Sequence, residues 1–253
     1  MTMAARAAII LAAVIAPCTA ISAKQGEAWW SFPWPQPPKV PVPFPEEPCK
    51  CLNWSHAYTI YGMSCLDLGK DQCEVFYKKL HSNICLNGMG NRPQVCIVSS
   101  MCEDLNGGLS INGNVSSRIC DPKKDKRGLE LEPEEMVQMA EKFDLDIRTL
   151  MNRAYLTDHI TPWQTAKFLW TSLRTVLSPD RLKVLDPVQQ SNYPTIFKAD
   201  PGLTTDGLVK GKMAWEILVD VKKLRRSKNR LTNPNGNAKL VCITGCNATG
   251  SLK

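Results

Sequence analysis

Beyond residue 133 the chain repeats its apolar residues at spacings of three and four. Met136, Val137, Ala140 and Phe143 face one way behind Pro133, with Glu134 and Glu135 near the positive end of the turn. This pattern predicts a helix starting at Pro133. Asp146 is placed to cap a second helix carrying Ile147, Leu150, Met151 and Ala154. Thr161-Pro162-Trp163-Gln164 reads as a capping box, followed by a stripe of Trp163, Ala166, Trp170, Leu173 and Leu177. Ser178-Pro179 starts a short turn, and 187–207 reads as irregular. A last helix is predicted from Asp206 or Gly207, with Val209, Met213, Ile217, Val221 and Leu224 on its apolar face and an end near Asn233–Gly236. Leu240–Ile243 reads as a short strand or extended tail.

Before residue 133 the pattern is different. Met1–Arg6 carries one positive charge and is followed by ten apolar residues, Ala7–Ala16. A bilayer span needs about 20. Small residues follow, so residues 1–23 are expected to be a cleaved signal peptide rather than an anchor, with no transmembrane segment in the mature chain. Residues 24–48 form an arm rich in proline and tryptophan, including Trp29, Trp30 and Trp34. Its prolines exclude helix and sheet interior and favour an extended polyproline II course. Such an arm either docks in a partner's aromatic groove or packs on its own domain. In residues 49–120 a short helix is predicted over Asp71–Leu80. Asn87-Gly88, Asn106-Gly107-Gly108 and Asn112-Gly113 mark turns. The expected fold class is therefore mainly α. A small disulfide-rich module of short helices and loops (49–120) leads through a charged hinge (121–132) to a helical domain (133–230) and a tail (231–253).

Cysteine usage sets the expected compartment. Without the leader ten cysteines remain: Cys49, Cys51, Cys65, Cys73, Cys85, Cys96, Cys102, Cys120, Cys242 and Cys246. An even number behind a leader implies disulfides. A structural zinc site wants clustered ligands, and no Cys-x-x-Cys pair occurs, so neither metal nor cofactor is expected. Cys49 and Cys51 flank a single residue and are expected to take different partners. Cys242 and Cys246 either pair with each other or clasp the tail to the first module. Charge separates the halves: residues 24–120 carry eight basic and eight acidic residues, and residues 121–253 carry 22 and 16. The excess is local, in Lys222, Lys223, Arg225, Arg226, Lys228 and Arg230, rather than a field suited to nucleic acid.

Candidate chemistry is sparse. Met139–Leu150 has the outline of a helix-turn-helix, but Asp144 and Asp146 suit phosphates poorly and nucleic acid is not an expected partner. The basic run either decorates a helix C-terminus, binds an acidic glycan or lipid surface, or is processed at Arg225-Arg226; Lys126-Arg127 is a second dibasic pair. Asn53, Asn114 and Asn247 begin glycosylation sequons. No nucleophile elbow, phosphate loop or paired-histidine metal motif occurs. His56, His81 and His159 stand far apart, and paired cysteines leave no thiol nucleophile.

Cys49-Lys50-Cys51-Leu52-Asn53-Trp54, then Cys73, Phe76-Tyr77, Leu80 and Cys85, then Cys96 and Cys102-Glu103-Asp104-Leu105-Asn106-Gly107-Gly108, resemble a cysteine-rich secretory protein family of dinoflagellate algae. The resemblance covers roughly residues 49–155. It implies a secretory setting and carries no assigned activity. Plastid proteins of those algae follow the signal peptide with a Ser/Thr-rich stretch, and the Pro/Trp arm departs from that. The expected protein is thus secreted or in a secretory-pathway lumen, with a plastid lumen as the lesser possibility. It is expected to be a non-enzymatic binding or structural protein whose contact surfaces are the arm and the basic run. A dibasically processed precursor and a motif-free hydrolase are the alternatives.

Overall fold

The computed structural model describes residues 46–64, 76–88, 93–171, 178–201, 203, 205–219 and 238–246. Among them are eight strands in two sheets and five short helices, so the fold is mixed α and β rather than mainly α. The first sheet is antiparallel in the order β1 (Leu86–Asn87), β2 (Gln94–Ser99) and β3 (Val115–Ile119). Val95 faces Leu86 on one side and Ile119 on the other. Val95-Cys96-Ile97-Val98 is a short, mostly β-branched run, and β2 is buried at five of its six positions. Helix α1 (Trp54–Thr59) starts at Asn53, whose side chain accepts from Ser55 N at 2.9 Å. Most of the helix expected over 71–80 lies outside the described residues, although Phe76 and Leu80 are buried. Two of the three asparagine–glycine turns form as expected, at Asn106 and Asn112, whereas Asn87 ends β1 and residues 89–92 after Gly88 lie outside the described residues. Asn106 and Gly107 adopt positive φ (48° and 83°), and Asn112 Oδ1 accepts from Asn114 N at 2.8 Å and Val115 N at 3.0 Å.

Two predicted helices form where the pattern placed them, α2 (Pro133–Phe143) and α3 (Ile147–Ala154). At the start of α2, Glu135 Oε2 accepts from Glu132 N at 2.9 Å. The helix ends at Asp144 in the left-handed region (φ 51°), a conformation more often taken by glycine. Asp146 Oδ1 then accepts from Thr149 N at 2.7 Å and starts α3. Helix α4 (Trp163–Thr171) follows the tryptophan stripe. Ser178-Pro179 opens a helix of 12 residues, α5 (Pro179–Gln190), in place of the short turn expected.

The second sheet takes the place of the predicted last helix over residues 206–219; the remainder of that prediction, including Val221, Leu224 and Asn233–Gly236, lies outside the described residues. The order of this sheet is β4 (Leu156–Asp158), β5 (Thr195–Phe197), β6 (Asp206–Lys210), β7 (Met213–Val219) and β8 (Ala238–Thr244). β4 and β5 run parallel, and every other neighbour is antiparallel. β6 and β7 form a hairpin with Lys210 opposite Met213. Gly211 (φ +57°) opens the two-residue turn, where a β-carbon is costly. The stretch read as irregular carries the end of α5 and all of β5. Leu240–Ile243 lies inside β8.

The five-stranded sheet is covered on both faces. Ile196, Leu208, Trp215 and Ile217 belong to a large cluster that also holds Leu150, Met151, Tyr155, Trp54, Leu80 and Ile97. Phe197, Val209 and Ala214 belong to a second cluster with Trp163, Ala166, Trp170 and Leu185. The large cluster joins residues on both sides of Cys120, so one apolar core unites the cysteine-rich segment and the later sheet. Residues 121–132 are knitted into it: Cys85 N donates to Lys126 O and Gly128 N to Cys85 O, both at 2.9 Å. At the start of β6, fully buried Asp206 receives Arg148 through Nε at 2.6 Å and Nη2 at 3.0 Å. Beside it, burial pushes the Lys198 ammonium below the usual lysine range. None of the described helices is long and apolar enough to cross a membrane.

Candidate functional site

Disulfides build the site. Pro48–Leu52 runs beside β2 where two-residue β1 stops: Leu52 N donates to Ile97 O at 2.7 Å and Ser99 N to Pro48 O at 3.1 Å. Cys49 joins Cys102 and Cys51 joins Cys96, so this short strip is tied at two points. Cys85, just before β1, joins Cys120, just after β3. The Cys51–Cys96 and Cys85–Cys120 bridges are neighbours, and their four sulfurs all lie within 4.8 Å of one another. Bonded in pairs, these sulfurs hold no thiolate for a metal, which a tetrathiolate zinc site requires.

A guanidinium sits against this cluster. Arg118 on β3 places Nη2 at 3.4 Å from Cys51 Sγ, 3.8 Å from Cys96 Sγ and 2.7 Å from Asp125 Oδ1. Asp125 Oδ1 is 3.4 Å from Cys51 Sγ, but a bridged sulfur carries no proton, so that contact is not a hydrogen bond. The Arg118–Asp125 pair is nearly buried, with side chains 11% and 8% exposed. Asp125 Oδ2 also accepts from Asp121 N at 2.7 Å. Arg118 Nε is buried without a hydrogen-bond partner among the described residues. Cys51, Arg118 and Asp125 line an open groove of about 910 Å³. Its remaining charged lining has both signs: Glu46, Glu47, Glu103 and Asp104 against Lys50, Lys124 and Lys126.

The sequence-predicted site residues are scattered. Cys242 pairs with Cys246 and closes the end of β8 at Gly245 (φ +73°), which resolves the two alternatives for the tail. Asn53 is half-buried as the cap of α1. Asn114 is exposed beside β3, its Nδ2 donating to Tyr61 O at 3.3 Å. His56 and His159 are exposed, His81 packs beside Phe143, and none of the three lines the groove. Cys65, Cys73, Asn247, Trp29, Trp30, Trp34 and the six basic residues from Lys222 to Arg230 lie outside the described residues, as does the 1–23 leader. Sequence reading does not single out Arg118 or Asp125. The one available signal is an arginine inside a strand, two residues before a cysteine, because such a position is buried on alternate residues and needs a counter-charge. A scan of family models, a search of curated proteins and a search of solved structures return no match to this chain.

Proposed function

We propose that the protein is a secreted or luminal, disulfide-stabilised binding protein without catalytic turnover. Its ligand is an extended peptide segment carrying charges of both signs, held in the groove beside Cys51. The observation that carries this reading is the groove itself, about 910 Å³, lined by acids and bases on either side of a strip that two bridges tie down at Cys49 and Cys51. Walls fixed before binding lose little conformational freedom when a ligand arrives. Interleaved charges select partners and register rather than supply bulk affinity. The sequence supports two further contact surfaces, the Pro/Trp arm at Trp29, Trp30 and Trp34 and the basic run Lys222–Arg230. The cysteine order resembling the dinoflagellate family supports the same secretory setting. Processing at Lys126-Arg127 is disfavoured, because the Lys126 carbonyl and the Gly128 amide are both bonded to Cys85 and a protease needs that main chain free.

Hydrogen exchange on the full chain with a synthetic alternating Lys–Glu peptide tests the groove. Slower exchange is expected at residues 46–51 and 118–126, and it is lost when Lys50, Lys124 and Lys126 are all changed to Glu. Protection that is absent from the wild type, or unchanged in the triple variant, would overturn the reading. For the basic run, changing all six residues to Gln should lower the salt needed for elution from heparin, and unchanged elution removes that surface.

A further inference from the structure

We propose that Cys51–Cys96 is a thiol–disulfide exchange site that accepts an electron pair from a dithiol and passes it to the Cys85–Cys120 bridge behind it. The step is stoichiometric, because it consumes one of the protein's own bridges. It stands independently of the peptide-binding reading.

Three observations converge. The first is access. Cys51 is half-buried and lines the groove, whereas Cys85 and Cys96 are 0% and Cys120 is 6% exposed. Within the cluster a thiolate entering the groove therefore meets Cys51 Sγ before the other three sulfurs; exposed Cys49 lines the same groove, but its partner Cys102 Sγ faces the Asp104 carbonyl at 3.2 Å rather than a guanidinium. The second is the leaving group. Attack at Cys51 expels Cys96 as a thiolate, and Arg118 Nη2 stands 3.8 Å from that sulfur. A neighbouring cation lowers the thiol pKa and speeds departure. Asp125 shares the same guanidinium at 2.7 Å and offsets part of its charge. Burial of the ion pair keeps water from screening what remains. The third is proximity. All four sulfurs lie within 4.8 Å, so the freed Cys96 thiolate needs only a small side-chain movement to reach the second bridge.

The exchange balances as follows. One thiolate of the dithiol bonds to Cys51 Sγ and the Cys51–Cys96 bond breaks, leaving the electron pair on Cys96. The dithiol's second thiol gives its proton to water, attacks its own partner sulfur, closes the donor's disulfide and releases Cys51 as a thiolate. Two electrons have then entered the protein. Cys96 next attacks the Cys85–Cys120 bridge and expels one of its sulfurs. Cys51 attacks Cys96 and reforms their bridge, and Cys85 and Cys120 are left as thiols after taking up two protons.

The oxidised full chain is treated with limiting dithiothreitol, quenched in acid, alkylated and mapped bridge by bridge. Label is expected first at Cys51 and Cys96 and then at Cys85 and Cys120, ahead of Cys49–Cys102. Arg118→Gln should slow Cys51–Cys96 opening roughly tenfold, because without the cation the departing Cys96 thiol has a higher pKa and leaves more slowly. Its Cys49–Cys102 rate should stay unchanged. In a Cys51→Ser/Cys96→Ser chain, Cys85–Cys120 should open several-fold more slowly than in the wild type. The proposal is overturned if Cys49–Cys102 opens first, if Arg118→Gln slows all bridges equally or none, or if Cys85–Cys120 opens in the double variant as fast as in the wild type or faster.

Discussion

Tyr155 shows how one buried group ties stability to pH. Its ring is 0% exposed and its hydroxyl donates to Leu131 O at 3.0 Å, so the phenol fills the core and satisfies a carbonyl. Burial, reinforced by Glu132, Glu134 and Glu135, pushes its pKa well above the ordinary tyrosine value of 10.0. The native state therefore keeps a proton that the unfolded chain releases above that value, and stability must fall as pH rises beyond it. Tyr77, raised chiefly by burial, acts in the same direction. Tyr155→Phe should cost about 1 kcal/mol at neutral pH, because Leu131 O loses its donor. It should also flatten the alkaline decline in urea midpoints, and an unchanged alkaline slope would refute this role. At this scale the sequence reveals type but not partner. Cysteine number and the asparagine turns were legible because each follows from local chemistry. Arg118 and Asp125 were not, because their meeting depends on β3 pairing with β2 and on the Asp121–Asp125 turn folding back beneath it.

Among the elements, the β6–β7 hairpin explains why a helix was expected from Asp206. β6 is buried on both faces, so Leu208 and Val209 are adjacent apolar residues in different clusters. Alternation disappears in such a strand, and spacings of four emerge by chance from Val209, Met213 and Ile217. The readable clue was Lys210-Gly211-Lys212, a turn between two apolar runs. Helices α2 and α3 were legible because each has one wet face and a local start signal. Gly207 lets α4 dock, since a β-carbon there would lie 1.8 Å from the Trp163 ring. Gly207→Ala should destabilise by about 3 kcal/mol in chemical denaturation, the upper range for overpacking. Gly211→Ala meets no neighbour within 4 Å. It should cost about 1 kcal/mol, from its positive φ alone. Equal losses at the two sites would contradict this packing of α4 on β6.

For the whole molecule, the two regions that differ in cysteine content and charge share one core. The largest cluster runs from Trp54 through Leu150 to Leu240. The bridges therefore do more than compensate for a small core. They fix the strip that carries Cys51, hold Arg118 against two sulfurs and set the walls of the groove on which both the binding and the exchange proposals depend. The sequence made pairing legible but left the connectivity open among many combinations, because pairing is a property of the folded sheet. The most direct measurement is a non-reducing digest of the full chain, trapped in acid to prevent exchange and mapped by mass. The expected linked peptides join Cys49 to Cys102, Cys51 to Cys96, Cys85 to Cys120 and Cys242 to Cys246. Cys51 joined to any cysteine but Cys96, or recovered as a free thiol, would contradict the account.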